Sequence, residues 1–184
     1  MSETIVVITG GGMAGISCAL FLARAAVSVT VFDSGRSSLR RVSRVANYLG
    51  FPEGIGGNEL LDRGRQQAEH FGARFVVADV TAIERRGDGF LVHAGDHEFT
   101  STFVVLASNK STELARALGL SLGGFGDKFI GVDAQGETAI PGLYAVGRIT
   151  GIPSQAVISA GDGAKTAIAL IQKIRGQYYV DHDT

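Results

Sequence analysis

A glycine-rich segment near the start of the chain has the residue types and spacing of a phosphate-binding turn. Gly10, Gly12 and Gly15 have the G-x-G-x-x-G spacing. The first glycine allows a tight turn, the second lets a pyrophosphate approach the backbone, and the third lets a helix pack closely on a sheet. Asp33 follows at about the 20-residue offset of a carboxylate that binds a ribose hydroxyl. These residues predict a dinucleotide site, and the alternative is a glycine turn that binds no ligand.

The elements around this turn occur in the order strand, turn, helix, strand. Residues 4–9 are a β-branched apolar run, residues 16–26 are rich in Ala and Leu, and residues 27–32 are a second apolar run. In such a unit the helix start faces the phosphates with free N–H groups and a positive dipole. Met13 and Ala14, inside the turn, are therefore predicted to bind pyrophosphate together with the glycines.

Composition limits the classes of function. The 184 residues suggest one domain with a sizeable core, and the 45% hydrophobic content argues against disorder. A net charge of −1 gives no basic face for nucleic acid or anionic membranes. No apolar stretch approaches the length of about 20 residues that spans a bilayer. Since the chain enters a strand directly, we expect no signal peptide and a cytoplasmic protein.

The cysteine and histidine residues predict no catalytic set and no metal site. Cys18 is the only cysteine, so no disulfide or redox pair can form within the chain. It is interpreted as a small buried hydrophobe, and the alternative is a thiol made reactive by the helix N-terminus. His93 and His97 flank a predicted hairpin turn, and we expect both to be solvated edge residues.

The middle of the chain is rich in turns. Residues 34–47 are polar and predict a loop or a short irregular helix. Residues 47–57 predict a long loop, which is more often functional than not, with an ordered surface loop as the alternative. Asn58 is predicted to cap a helix over residues 59–71, which Gly72 ends.

The remaining segments predict an α/β fold with a parallel sheet, helices and a small antiparallel crossover sheet. Strands are predicted at 73–78, 81–84, 89–93, 97–100, 102–107, 129–132 and 143–146, helices at 112–118 and 155–174, a flexible turn at 123–126 and a frayed tail at 176–184. Residues 102–107 and 143–146 are apolar throughout, which is typical of buried parallel strands.

Several of these segments together resemble the FAD-binding domain of the low-molecular-weight thioredoxin reductases. The matching segments, in chain order, are residues 10–15, 47–52, 67–73, 141–147 and 155–163. The resemblance covers nearly the whole chain and implies a Rossmann-like FAD-binding domain over residues 1–184. It further implies a first half at 1–107 and a closing half at 111–175.

The resemblance also implies which residues contact FAD. The implied cofactor-binding residues are Gly10, Gly12, Met13, Ala14, Gly15, Asp33, Asn47, Val80, Ala107, Gly147, Arg148, Gln155, Ala156 and Val157. Within this set, Val80 would touch adenine through its backbone and Asn47 would approach the flavin. The N-terminus of the last helix would face flavin N1 and O2, where its dipole favours the negative charge of the reduced form.

Two departures from the family are expected to change its chemistry. After Ala107 the family inserts an NADPH domain with a redox cysteine pair, whereas here Ser108 and Asn109 lead directly into the next helix. Arg148 replaces an Asp that accepts a hydrogen bond from the ribityl chain, and an Arg cannot accept one. We predict that Arg148 donates to phosphate or flavin O2, with a side chain turned to solvent as the alternative.

Three function hypotheses follow. The first is a flavin oxidoreductase that is not itself a thioredoxin reductase and receives electrons from a separate reductase or electron-transfer protein. The second is a flavin-binding sensor or assembly subunit that does not turn over. The third, a NAD-binding Rossmann protein without flavin, is the weakest because residues 147–157 match the flavin-closing segment. The substrate, the nicotinamide preference and the oligomeric state, including a homodimer, stay open.

Overall fold

The computed structural model describes residues 5–180. In chain order, the strands and helices are β1 (Ile5–Thr9), α1 (Met13–Arg24), β2 (Ser28–Phe32), α2 (Gly57–His70), β3 (Arg74–Val76), β4 (Val80–Arg86), β5 (Gly89–Ala94), β6 (His97–Ser101), β7 (Phe103–Leu106), α3 (Glu113–Ala117), β8 (Leu122–Gly123), β9 (Phe129–Ile130), β10 (Leu143–Ala145) and α4 (Ala156–Arg175). Short 3₁₀ helices lie at Ser38–Arg41 and Gly147–Thr150.

A five-stranded sheet forms the centre of the molecule, in the order β10-β7-β1-β2-β3 with every pair parallel. Its central strand is apolar along its length because both faces are covered. Val6 and Ile8 pack with α1 and α4 on one face, and Val7 packs with the antiparallel sheet on the other. This confirms the predicted mixture of parallel sheet, helices and small antiparallel sheet.

Helices α1 and α4 cross at very short range. A Cβ added to Gly163 of α4 would lie 2.1 Å from the carbonyl oxygen of Ala14, so only glycine fits there. Cys18 lies in the same contact with no exposed surface. Burial, with the nearby negative charge of Asp162, raises the pKa of its thiol to about 12. Cys18 is therefore the small buried hydrophobe that the sequence suggested, and the reactive-thiol alternative is wrong.

The antiparallel sheet, in the order β4-β5-β6, lies across the other face of the parallel sheet. The expectation that His93 is solvated is wrong. Its ring is only a quarter exposed and lies between two carboxylates, with Nε2 3.3 Å from Glu84 and Nδ1 3.5 Å from Glu98. His93 lies on β5, the central strand, which pairs with both β4 and β6, so residues of both neighbouring strands flank the ring, which the turn sequence does not show. His97 is exposed, as expected.

The structure corrects the start of α2. Gly56, not Asn58, is the N-cap, and no side chain caps this helix. The Asn58 amide oxygen instead accepts a hydrogen bond of 3.3 Å from Arg40. The helix starts earlier because Gly57 fits against the carbonyl oxygen of Leu39, where a Cβ would lie at 2.0 Å.

The C-terminal segment after α4 is described as far as residue 180. Tyr179 packs against the core beside α4, and the Arg175 guanidinium lies 4.7 Å from the centre of its ring. The rest of the predicted tail and residue 4 of the predicted first strand lie outside the described residues. Over residues 5–180, no helix is both long and apolar enough to cross a membrane.

Candidate functional site

A cavity of about 840 Å³ runs along the carboxyl ends of the parallel strands. Thr9 at the end of β1, Asp33 after β2, Ala107 after β7 and Gly147 after β10 all contribute to its wall. The cavity crosses the boundary between β1 and β7, where the strand order reverses direction. Open α/β sheets bind ligands at this position, and the volume lies within the usual range of about 300–1,000 Å³.

The starts of two helices contribute to this cavity, and the first is the start of α1. Gly10 has φ +112°, and its N–H donates to the carbonyl oxygen of Phe32 at 2.8 Å, which closes the turn against β2. Gly12 is the N-cap of α1, without a side-chain cap and without an acid in the first turn. The N–H groups and positive dipole of α1 are thus directed at the cavity, and the first turn of the helix carries no acid to neutralise them.

Asp33 lies next to this turn at the end of β2. Its Oδ1 accepts a hydrogen bond of 3.0 Å from the N–H of Gly35. A Cβ on Gly11 would lie 2.5 Å from the Asp33 carboxylate carbon, so this glycine lets the acid approach the turn. Across the cavity mouth, Arg36 forms a short ion pair with Asp79. Asp33 thus accepts from Gly35 through Oδ1 and contributes to the cavity wall beside the glycine turn.

The second helix start that contributes to the cavity wall is that of α4, which packs directly against α1. Gln155 is its N-cap, again with no side-chain cap and no acid in the first turn. Gly147, at φ +79°, turns the chain after β10, and its N–H donates to Asp162 Oδ2 at 2.8 Å. Asp162 is only 12% exposed and also pairs with Lys165 at 2.8 Å. Sequence reasoning missed this positioning residue, because the only local signal is an acid between two glycines of the helix.

Arg148 lies between β10 and α4, half-buried in the cavity wall. Its guanidinium contacts the hydroxyl of Ser154 at 3.5 Å, at the outer limit of a hydrogen bond. Within residues 5–180 it forms no ion pair. The guanidinium is thus placed where it can donate to a ligand.

The structure brings most of the predicted site residues to one cavity. Those that line it are Gly10, Gly12, Met13, Ala14, Asp33, Val80, Ala107, Gly147, Arg148, Gln155 and Ala156. Gly15 lies beneath the turn instead, where a Cβ would be 2.0 Å from the carbonyl oxygen of Gly10. Asn47 lies outside the lining and donates to Gln155 Oε1 at 2.9 Å, and Val157 is 37% exposed beyond the helix start.

Thr9 is a further lining residue that sequence reasoning missed. It is 4% exposed, and its hydroxyl has no hydrogen-bond partner among the described residues. A buried hydroxyl without a partner is unfavourable, so a ligand that reaches the end of β1 would satisfy it. Together with the two uncapped helix starts and Asp33, this hydroxyl makes the cavity fit an extended ligand that carries phosphates and ribose hydroxyls.

The fold and the cavity define a Rossmann-like nucleotide-binding protein. A sequence profile of the NAD(P)-binding Rossmann-like domain family matches residues 8–46, from the end of β1 past Asp33.

Curated proteins similar to this chain are thioredoxin reductases. The chain is 31% identical over 132 residues to a thioredoxin reductase of Chlamydia trachomatis, covering 69% of this chain and 41% of that protein. It is 37% identical over 123 residues to a thioredoxin reductase of Mycolicibacterium smegmatis, covering 65% and 39%. The mitochondrial thioredoxin reductase 1 of Arabidopsis thaliana matches 98% of this chain at 28% identity, and 48% of its own length is covered.

Solved structures show the same fold. A thioredoxin reductase from Gloeobacter violaceus superposes with a TM-score of 0.84 at 21% identity, covering 97% of each chain. HlmI superposes with a TM-score of 0.86 at 19% identity, covering 95% of this chain and 93% of the other.

The chain is thus similar to the thioredoxin reductases in sequence and fold, and the resemblance found in the sequence is confirmed. It spans less than half the length of the curated relatives described above. β7 and α3 are joined by residues 107–112 alone, and no domain is inserted between them.

Proposed function

We propose that this chain binds FAD in an extended form along the strand ends and acts as an oxidoreductase supplied with electrons by a separate donor. The observation that carries the proposal is that two uncapped helix N-termini, α1 and α4, both contribute to the wall of one cavity. Each favours negative charge at its end of a ligand. When bound, FAD supplies electron and hydride transfer chemistry, so the protein needs no acid, base or thiol of its own for that step.

The residues divide into two groups along the cavity. At the α1 end, the backbone from Gly12 to Ala14 would hold the pyrophosphate, and the Asp33 carboxylate would accept from the adenosine ribose. At the α4 end, Gly147 would allow close approach, while the helix N-terminus would stabilise the negative charge of reduced flavin. Arg148 would donate from the wall between them.

A separate electron source is proposed because the chain has no redox disulfide. Cys18 is the single cysteine, and its thiol is fully buried with a pKa of about 12. The direct connection from β7 to α3 holds no nicotinamide-binding domain of the kind that the resemblance places there. Thioredoxin-linked disulfide reduction by this chain alone is therefore expected to be absent, and a reductase or electron-transfer protein would supply electrons.

Binding and turnover test the proposal in two stages. Purified protein should show flavin absorbance or acquire it on addition of FAD, and mass spectrometry should identify FAD as the released ligand. Turnover with NADH, NADPH or a reductase and an artificial acceptor would support the oxidoreductase. Bound FAD that no donor reduces would support a flavin sensor or assembly subunit instead. Failure to bind added FAD would contradict both.

The family profile favours a second candidate, a NAD(P)-binding protein, since it matches residues 8–46. These residues form the half of the cavity that would hold the ADP part common to NAD and FAD. The second uncapped helix start, at Gln155, is what favours FAD. Titration of NAD, NADP and FAD against the same protein separates the candidates, because the proposal expects FAD to bind most tightly.

A further inference from the structure

A second, smaller pocket of about 190 Å³ opens beside the cofactor cavity. Its wall is formed by Asn109, Lys110, Lys128, Phe129 and Arg148. Asn109 and Arg148 also line the large cavity, so the two spaces are neighbours. The smaller one lies below the range of about 300–1,000 Å³ that accommodates whole cofactors, and it suits a group of a few atoms.

The charged side chains that line this smaller pocket, called the anion pocket below, are all positive. Three of its five lining residues are cations, and none is an acid. Some cations of the structure have an acid beside them, as in the ion pairs Arg63–Glu59, Arg65–Glu69 and Lys173–Glu137, whereas the three cations of this pocket lie together without one. Over residues 5–180, neither Lys110 nor Lys128 pairs with an acid, although the chain carries 18 acidic residues. Like charges that converge without a counter-ion repel one another, and a bound anion would offset that repulsion.

The framework of the pocket is fixed. Ser108 and Ser111 close the turn that carries Asn109 and Lys110, through a hydroxyl-to-carbonyl bond of 2.7 Å and a backbone bond of 3.0 Å. Asn109 has φ +59°, a conformation that an Asn tolerates better than most residues. The pocket therefore presents Lys110 from a closed turn instead of a free loop.

The aromatic wall is held by two glycines. A Cβ on Gly124 would lie 2.6 Å from the Phe129 ring, and a Cβ on Gly151 would lie 3.2 Å from it. Both glycines have positive φ, at +72° and +90°, so other residues would be strained there. Phe129, packed against both glycines, thus adds an apolar surface to a lining that is otherwise polar or charged, and such a combination suits an anion attached to a small organic body.

We propose that the anion pocket binds the carboxylate or phosphate group of a small organic substrate. Its size, its unpaired cations and the wall that it shares with the cofactor cavity support this proposal. The further statement that this substrate exchanges electrons with a flavin rests on the proposed function. A macromolecular anion is disfavoured because a concave space of about 190 Å³ admits only a small group. Arg148 would donate to the substrate on one side and face the cofactor cavity on the other, since its guanidinium carries five donors.

Backbone NMR of the full chain in the presence of FAD tests the site directly. Inorganic phosphate and acetate are titrated separately, with chloride holding the ionic strength constant. We expect saturable shifts at the amides of Asn109, Lys110 and Phe129 with at least one probe. Tighter binding of phosphate would assign a phosphate ester as the substrate class, and tighter binding of acetate would assign a carboxylate.

Matched variants distinguish binding in the pocket from a general effect of the protein's positive charges. The double variant Lys110→Gln with Lys128→Gln should weaken probe binding at least tenfold, while Lys110→Arg with Lys128→Arg should retain it. Arg74→Gln, an exposed change of the same charge on edge strand β3, should leave binding unchanged. Circular dichroism checks that each variant is folded.

Three results would overturn the anion pocket: shifts equal to those given by chloride alone, unchanged affinity in the glutamine double variant, or equal loss in Arg74→Gln. The flavin absorbance of the same samples tests the proposed function separately. Phosphate or acetate binding without flavin binding would contradict the proposed function and leave the anion site standing.

Discussion

The starts of α1 and α4 face the same cavity but are built in different ways. The α1 start is a compact glycine turn directly after a strand, whose residues lie largely buried. The α4 start follows a 3₁₀ helix and an exposed polar loop, and its N-cap Gln155 is exposed. Both lack a side-chain cap and an acid in the first turn. The common feature is thus an unneutralised helix dipole, and the packing around it is what differs.

The difference shows how the two ends are held. At the α1 start, backbone fits against backbone, as where Gly15 lies over the carbonyl oxygen of Gly10. At the α4 start, side-chain hydrogen bonds make the contacts: Asp162 accepts from the N–H of Gly147, and the Asn47 side chain donates to the Gln155 side chain. We therefore expect changes at the glycine contacts to act mainly on folding, and changes among the polar side chains to act mainly on ligand binding.

The largest expected effect comes from the contact that joins the two helices. Gly163→Ala would place a methyl group 2.1 Å from the carbonyl oxygen of Ala14. We expect the free energy of unfolding to fall by about 3 kcal/mol, the upper range for overpacking. Urea denaturation measures it. Labelling of Cys18 by iodoacetamide, blocked in the native protein by burial and a pKa of about 12, should become detectable as the helices separate.

Gly161→Ala is the matched control for this change, since nothing lies within 4 Å of the added methyl group. Because alanine favours helix, stability should stay the same or rise by up to about 1 kcal/mol. Equal destabilisation by the two substitutions would show that the helix contact is not the cause.

The α1 end could be predicted from the local sequence in detail, whereas the lining residues of the α4 end followed only from the family resemblance and its hydrogen bonds were not predicted. Strand, glycine turn and acid lie within the first 33 residues, so local sequence encodes their arrangement. The bond between Asn47 and Gln155 joins residues 108 positions apart, and the bond between Asp162 and Gly147 depends on how α4 lies over the sheet. The same reason explains why the prediction of Asn58 as the N-cap of α2 was wrong, since the close packing of Gly57 on Leu39 determines where this helix begins.

The next effect concerns the acid beside the α1 start. Asp33→Ala should weaken FAD binding by about 1.5–3 kcal/mol, the range of hydrogen bonds to charged groups. This corresponds to roughly ten- to a hundred-fold in affinity. Flavin fluorescence quenching measures it. Asp33→Asn keeps an acceptor for the N–H of Gly35 and should lose less FAD affinity than Asp33→Ala. An unchanged titration in Asp33→Ala would show that this carboxylate does not hold the ribose.

Arg148 tests the α4 end. Its half-buried guanidinium has one weak contact within the described chain, so its removal should cost little stability. We expect Arg148→Ala to weaken FAD binding by about 1.5 kcal/mol, the lower end for bonds to charged groups.

The reduction potential of the same variant locates the contact. If the guanidinium lies near flavin O2, the potential should fall, because a positive charge favours the reduced, anionic flavin. A contact with phosphate would lower affinity and leave the potential nearly unchanged. No change in either quantity would show that Arg148 does not contact FAD.

The smallest expected effect concerns the hydrogen bond of 2.9 Å between Asn47 and Gln155, which joins the long loop to the α4 start. Both side chains are exposed, so water replaces the bond readily and its net contribution should be about 0.5–1 kcal/mol. A double-mutant cycle with Asn47→Ala, Gln155→Ala and both together should give a coupling of this size in urea unfolding of the FAD-free protein.

With FAD bound, the two substitutions should become additive in affinity if each side chain turns from its partner to the ligand. Additive effects in the FAD-free protein would contradict the bond, and coupling that persists unchanged with FAD would mean that the loop and helix stay joined while the cofactor is held elsewhere.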